Sequence, residues 1–120
     1  MPEISITLPG SIRSKKNSKR IFARGKIKMV LPSKAYEAWE AEARKEAWKD
    51  AIIPPLDCPV EVTAVCYCKG QLPDLSGALE SVGDCLEGIV WADDKVIYSW
   101  DGSRIIHDKD NPRTEVKVRW

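Results

Sequence analysis

Residues 72–96, LPDLSGALESVGDCLEGIVWADDKV, constrain this chain more tightly than any other stretch of it. Leu75, Ala78, Leu79, Val82 and Leu86 recur at i, i+3, i+4, i+7 and i+11, which is one apolar stripe of a 3.6-residue period. Asp74 stands where an N-cap belongs and Gly88 where a C′ glycine belongs. The spacing therefore predicts an amphipathic helix with a defined start and stop, followed within six residues by Asp93-Asp94. Glu80 and Asp84 lie four apart on the polar side, so their carboxyl groups project the same way. Acids at a helix mouth and flank, beside a loop carrying two more, can gather carboxylates around a divalent cation.

The rest of the chain supplies strands and one further helix. Residues 60–68 alternate cleanly and make the best strand in the sequence. Residues 3–8 (EISITL) alternate too, ended by Pro9-Gly10. The basic stretch that follows reads as a loop, with Ser14, Asn17, Ser18 and Gly25 keeping it irregular, and residues 26–31 read as the second strand of a hairpin. Pro32-Ser33 signals a helix start with Ser33 as N-cap. That helix is expected over about 34–51, with Tyr36, Trp39, Ala43 and Ala47 as its seam and Trp48 just beside it. Residues 95–101 are expected as a strand, Asp101-Gly102 as a type I′ hairpin turn, 103–107 as the returning strand and 114–120 as the last strand. The expected fold class is α+β, a mixed α/β domain with a mostly antiparallel sheet covered by two main helices. At 120 residues, 1–120 is taken as one domain.

Composition narrows the function. The net charge of +1 conceals a polarity: residues 1–35 hold nine Lys/Arg and one acid, residues 36–120 ten Lys/Arg and seventeen acids. Arg13, Lys15, Lys16, Lys19, Arg20, Arg24, Lys26 and Lys28 fall within sixteen residues that contain no acid. Such a run is either a solvated loop or a grip on a polyanion. No apolar run approaches the ~20 residues that cross a bilayer, and no signal-peptide core stands at the N-terminus, so cytoplasmic residence without a membrane partner is expected. The four cysteines include no CxxC pair and there is one histidine, His107, so reduced, buried, structural cysteines are expected rather than a zinc site. One histidine also excludes a nucleophilic triad. No Gly-rich phosphate loop is present, which disfavours a nucleotide cofactor.

The residues placed to carry chemistry are Asp74, Asp93 and Asp94 as metal ligands, with Glu80 about two turns, roughly 9 Å, up the helix from Asp74. A plain N-cap and a polar turn are the alternatives for Asp74 and for Asp93-Asp94.

The stretch PDLSGALESVGDCLEGIVWADDKVI resembles the signature of the RusA-type Holliday junction resolvases. In that signature a Pro-Asp-x-Asp-Asn-Leu segment opens a helix that carries a lysine, and an aromatic then leads into Asp-Asp and a strand. ITLPG, the SKKN at 14–17 and VLPSKAYEAWEAEA are similar to that family's first strand, basic loop and first helix, so the resemblance covers nearly the whole chain. It implies a small homodimeric endonuclease of bacteria and their phages or prophages that uses Mg²⁺ or Mn²⁺ to nick opposing strands of a four-way DNA junction. Asp74 and Asp94 match its catalytic aspartates, with Asp93 beside the second, and Asp84 matches a helix aspartate common in the family. The other catalytic aspartate falls on Ser76, the following asparagine on Gly77 and the lysine on Glu80. Two outcomes are open: Glu80 replaces the missing carboxylate, or the protein binds junctions without cutting them. Arg13, Lys15, Lys16, Asn17, Lys19, Arg20, Arg24 and Lys26 are the residues expected to grip branched DNA.

Overall fold

Strict alternation of buried and half-buried side chains along Val60–Cys68 builds the strand around which everything else is arranged. The computed structural model describes the backbone of residues 1–15, 19–24 and 27–120, and side chains outside 16–32. The elements are β1 (Glu3–Pro9), β2 (Lys19–Arg24), β3 (Ile27–Pro32), α1 (Lys34–Ala47), β4 (Val60–Cys68), α2 (Leu75–Leu86), β5 (Ile97–Ser99), β6 (Arg104–His107) and β7 (Arg113–Arg119). Five strands form a mixed sheet in the order β1-β7-β4, with β5 and β6 both on the free edge of β4; β2 and β3 form a separate two-stranded sheet.

The long pairings, β1 with β7 and β7 with β4, are antiparallel. Their register lines up Ile6, Val116 and Ala64 in one row, and Leu8, Thr114 and Cys66 in the next. Because side chains alternate across a strand, these rows share one face. That face carries the core, with Val60, Val62, Ala64, Cys66 and Cys68 all fully buried. Helix α1 packs on β1, and α2 on β4 and α1. The α1 seam is the expected one: Tyr36, Trp39, Ala43 and Ala47 are buried, and the Ser33 hydroxyl accepts a hydrogen bond from the Tyr36 N–H at 3.1 Å.

Several expectations are corrected. Residues 19–24 form strand β2 rather than loop, paired with β3 from Lys19↔Pro32 to Arg24↔Ile27. KRIFAR interleaves basic residues with Ile21 and Phe22, and a backbone with β-formers finds a ladder partner whatever its charge. Helix α1 ends at Ala47 with a 3-10 turn over Trp48–Asp50, because the chain leaves to let the Ile52 N–H donate to the Ile89 carbonyl. Trp48 is thereby exposed, as are Leu75 and Cys58. The buried face of α2 turns toward Ala78, Ser81, Val82, Cys85 and Leu86 instead.

The expected strand over 95–101 shortens to Ile97–Ser99, since the Asp93 carboxylate accepts from the Lys95 N–H and starts a 3-10 turn at Asp94–Val96. Asp101-Gly102 does not make a hairpin. Only Gly102 takes positive φ (+84°) there, whereas a type I′ turn needs positive φ at both central residues. The chain steps sideways at this turn and β6 continues parallel to β4, as β5 does. Thr63 Oγ1 donating to the Asp101 carbonyl at 2.8 Å and the Ala64 N–H donating to Ser103 Oγ at 2.9 Å replace ladder bonds across the gap.

Candidate metal centre

Helix α2 ends because Gly88 supplies positive φ (+81°) immediately after Glu87. The loop that follows is short and pinned. The Gly88 N–H donates to the Trp91 carbonyl at 2.7 Å, and the fully buried Trp91 indole N–H donates back to the Gly83 carbonyl at 3.0 Å. A buried indole needs such an acceptor, so the loop has one seat on the helix. Arg44 of α1 completes the corner by donating to the carbonyls of Cys85 (2.8 Å) and Glu87 (3.4 Å), a cation placed at the negative end of α2.

This folding back brings Glu87 beside the Asp-Asp pair. Carboxylate oxygens of Glu87, Asp93 and Asp94 lie within 4.8 Å of one another, and Glu87 Oε1 also accepts from the Asp94 N–H at 3.2 Å. Among the described residues this is the group of three acids that could hold a metal ion. Partial burial, the hydrogen bond with Asp93 and the charges of Glu87, Asp93 and Asp84 hold the Asp94 carboxyl above its ordinary range. The Lys95 N–H hydrogen bond holds Asp93 below its own. Three exposed carboxylates at one corner offer oxygen donors that fit a small hard divalent cation.

Sequence reasoning found Asp93 and Asp94 but missed Glu87. The signal was available: the last acid of a helix before a C′ glycine faces whatever the short loop returns. Asp94 packs against α2 beside Gly83, where a Cβ would stand 3.7 Å from Asp94 Cβ, an ordinary contact. Asp94, Glu80, Ser76, Leu79, Gly83, Ile97 and Trp100 line one open cavity of about 310 Å³. Glu80 is thus brought to Asp94 as a neighbour in that cavity rather than a member of the three-acid group, and Ser76 lines the same wall.

Asp74 is elsewhere. It takes the N-cap position of α2 with extended backbone, but its carboxylate makes no capping hydrogen bond. The helix rise sets Gly83 about 13 Å along the axis from it. Asp74 lines a second cavity, of about 160 Å³, with Ile12, Arg13, Ser14, Gln71, Leu72 and Pro73. Asp74 and Asp94 thus line different hollows along α2, with Ser76 and Glu80 beside Asp94.

Asp84 is half-buried on α2, its carboxyl raised by burial, pulled back by Lys15, and raised further by Glu87, Glu40 and Glu80. Of the expected DNA-gripping residues, Arg13 and Lys15 are exposed at the root of the basic segment. Lys19, Arg20 and Arg24 belong to β2, while Lys16, Asn17 and Lys26 lie outside the described residues. His107 is exposed on β6, and no helix is long and apolar enough to cross a membrane among the described residues.

Comparison with curated proteins gives no match. A family comparison does: residues 9–119 match the profile of Endodeoxyribonuclease RusA, a span that takes in both helices, both cavities and the acidic corner. The chain accordingly belongs to the RusA family of Holliday-junction-resolving endodeoxyribonucleases.

Proposed function

We propose that this protein is a homodimeric, Mg²⁺- or Mn²⁺-dependent endonuclease that resolves four-way DNA junctions by paired nicks. The observation that carries the reading is the Glu87–Asp93–Asp94 group, three hard oxygen donors at one exposed corner of a chain of this family. A divalent cation held there supplies a water of lowered pKa and a Lewis acid for a phosphate oxygen. Glu87 Oε1 and the Asp93 and Asp94 carboxylates would hold it, and Glu80 assists from the adjoining cavity wall. Asp74, at the N-cap of α2, is the further carboxylate that the family resemblance assigns to catalysis. Arg13, Lys15, Lys16, Asn17, Lys19, Arg20, Arg24 and Lys26 grip phosphates, so recognition is of branched shape and weakens steeply with salt. Two copies suit a two-fold junction, which offers two equivalent phosphates. A solution mass equal to one 13.5 kDa chain at working concentration would remove paired nicking from the proposal.

A second reading has its own support. Ser76 and Glu80 line the cavity beside Asp94, a hydroxyl and a carboxylate where the resemblance implies an aspartate and a lysine. On that reading the protein binds junctions and does not cut them.

The test compares a labelled four-way junction with a linear duplex made from the same strands, in Mg²⁺, in Mn²⁺ and in chelator. Symmetric, metal-dependent nicks confined to the junction support the enzyme. Tight junction binding with no product under any metal leaves the second reading.

A further inference from the structure

Helix α2 carries apolar surface that the core does not absorb. The core takes Ala78, Val82, Cys85 and Leu86, whereas Ser76, Leu79, Glu80 and Gly83, at i, i+3, i+4 and i+7, form a second stripe beside that face. Asp94, Ile97 and Trp100, from the chain that returns after Gly88, make the other wall of the same cavity of about 310 Å³.

The apolar side chains of this cavity are rooted. Leu79, Ile97 and Trp100 are half-buried and pack against the core. The Trp100 carbonyl also accepts from the Ser103 N–H at 3.1 Å, in a turn that Thr63 and Ser103 tie to β4. No hydrogen bond ties the Trp100 indole N–H, the Ser76 hydroxyl or the Glu80 carboxylate to a described residue. A seated aromatic ring, aliphatic side chains beside it and unengaged donors and acceptors are what an unstacked nucleobase requires. Its ring is covered by apolar surface and its polar edge is met by hydrogen bonds. Sites for small organic molecules begin at about 300 Å³, so one base fits and a duplex does not.

Position says which base. Asp94 belongs both to the acidic corner and to this cavity, so a phosphate at the corner has its neighbouring base at the cavity mouth. A branch point yields such a base cheaply, because stacking is already interrupted there.

We propose that Trp100 is the stacking platform of a nucleobase subsite, and that the cavity between it and α2 takes the base next to the scissile phosphate. The inference rests on the junction-endonuclease reading and goes beyond it. Phosphate contacts carry no sequence information, whereas a base subsite fixes where the cut falls relative to the branch point.

A cycle between protein and DNA tests it. Four-way junctions carrying one abasic site, moved nucleotide by nucleotide through the branch point, are bound to wild type and to Trp100→Ala in Ca²⁺, with a denaturing gel to show that no strand is cut. On the intact junction Trp100→Ala should bind about tenfold more weakly, the loss of one base–aromatic stack. At one position the abasic site should cost wild type a similar factor and cost Trp100→Ala less than about twofold. Trp100→Phe should stay within about threefold of wild type, because an aromatic face returns. Equal affinity of wild type and Trp100→Ala would overturn the proposal, as would abasic losses that multiply with Trp100→Ala at every position. A Trp100→Ala protein that falls from dimer to monomer mass and weakens on every junction alike would assign the cavity to a second copy of the chain and overturn it too.

Because the cycle reads binding, it decides the subsite whether or not the protein cuts. If wild type binds the four-way junction no better than a linear duplex, the junction reading fails and the subsite with it; junction binding without the coupling strikes the subsite alone. Circular dichroism and a cooperative melt check each fold. If Trp100→Ala does not fold, Trp100→Leu, which refills the packing without an aromatic face, takes its place in the cycle.

Discussion

Gly77 and Gly83 both lie inside α2, and alanine at each should have opposite consequences. Propensity alone favours alanine by up to about 1 kcal/mol at a helix position. At Gly83 the new Cβ meets Asp94 Cβ at 3.7 Å, an ordinary contact, so about 0.5–1 kcal/mol of that gain should survive. For a domain of this size the gain corresponds to a rise in Tm of roughly 2–5 °C. At Gly77 the Cβ overlaps Ser14 Oγ and Asp74 Oδ1, and Ser14 Cβ lies at 2.9 Å. Ser14 is 3% exposed and held between residues bonded to Ser81, so it has no room to retreat. Overpacking of this kind costs about 1–3 kcal/mol, more than the propensity gain, and leaves a net loss of roughly 1 kcal/mol. Asp74 is exposed and yields first, so the damage is functional as well as energetic. Thermal unfolding by circular dichroism, beside junction cleavage by both variants, reads the two effects. A Gly77→Ala protein as stable as Gly83→Ala, with undiminished cleavage, would refute this geometry at the mouth of α2.

Other consequences are open to direct measurement. Arg44→Ala removes the donor to the carbonyls of Cys85 and Glu87, and should cost about 1–2 kcal/mol in denaturant unfolding and weaken Mn²⁺ binding; unchanged metal affinity would separate the corner from its cap. Glu80→Gln should slow cleavage by about tenfold or more if Glu80 serves the site, and an unchanged rate would remove it. A thiol reagent should modify Cys58 fast and Cys66, Cys68 and Cys85 only as the protein unfolds. Burial pushes the thiols of Cys66 and Cys85 up to about 12. A raised folded pKa lends stability that is whole below the ordinary thiol value near 9 and is lost as pH climbs toward 12. By pH 10 the loss should be about 1 kcal/mol for each thiol, and unfolding at pH 8 and pH 10 should show it. A Cys66→Ala/Cys85→Ala protein with the same pH slope as wild type would assign that slope to other groups.

Much of the fold was legible because local chemistry and tertiary demand agree. The alternation of residues 60–68 needs no partner to identify it, and Ser33, Asp74 and Gly88 mark helix ends at the positions the structure uses. Legibility ended where pairing depends on distant residues. Nothing in 95–107 announces that both short strands run parallel to β4, since that follows from Thr63 and Ser103 bridging the turn at Gly102. Charge density disguised β2, whose ladder is a backbone property. The acidic corner was legible in part. Asp93 and Asp94 were found by their pairing, whereas Glu87 joins them only through the return of the chain after Gly88. Asp74, expected to converge with them from the helix mouth, stands at the start of α2, whereas Asp94 lies beside Gly83 further along it.

The account stands on the claim that the acidic corner after α2 holds the cation that cuts DNA. Its most direct test is the cleavage rate of a labelled four-way junction as Mg²⁺ is titrated, with wild type and Asp94→Asn side by side at saturating protein. The account predicts saturable, symmetric cleavage by wild type and a loss of at least about a hundredfold in Asp94→Asn, with junction binding in chelator retained. Equal cleavage by the two proteins, or wild-type cleavage indifferent to the metal, would contradict it.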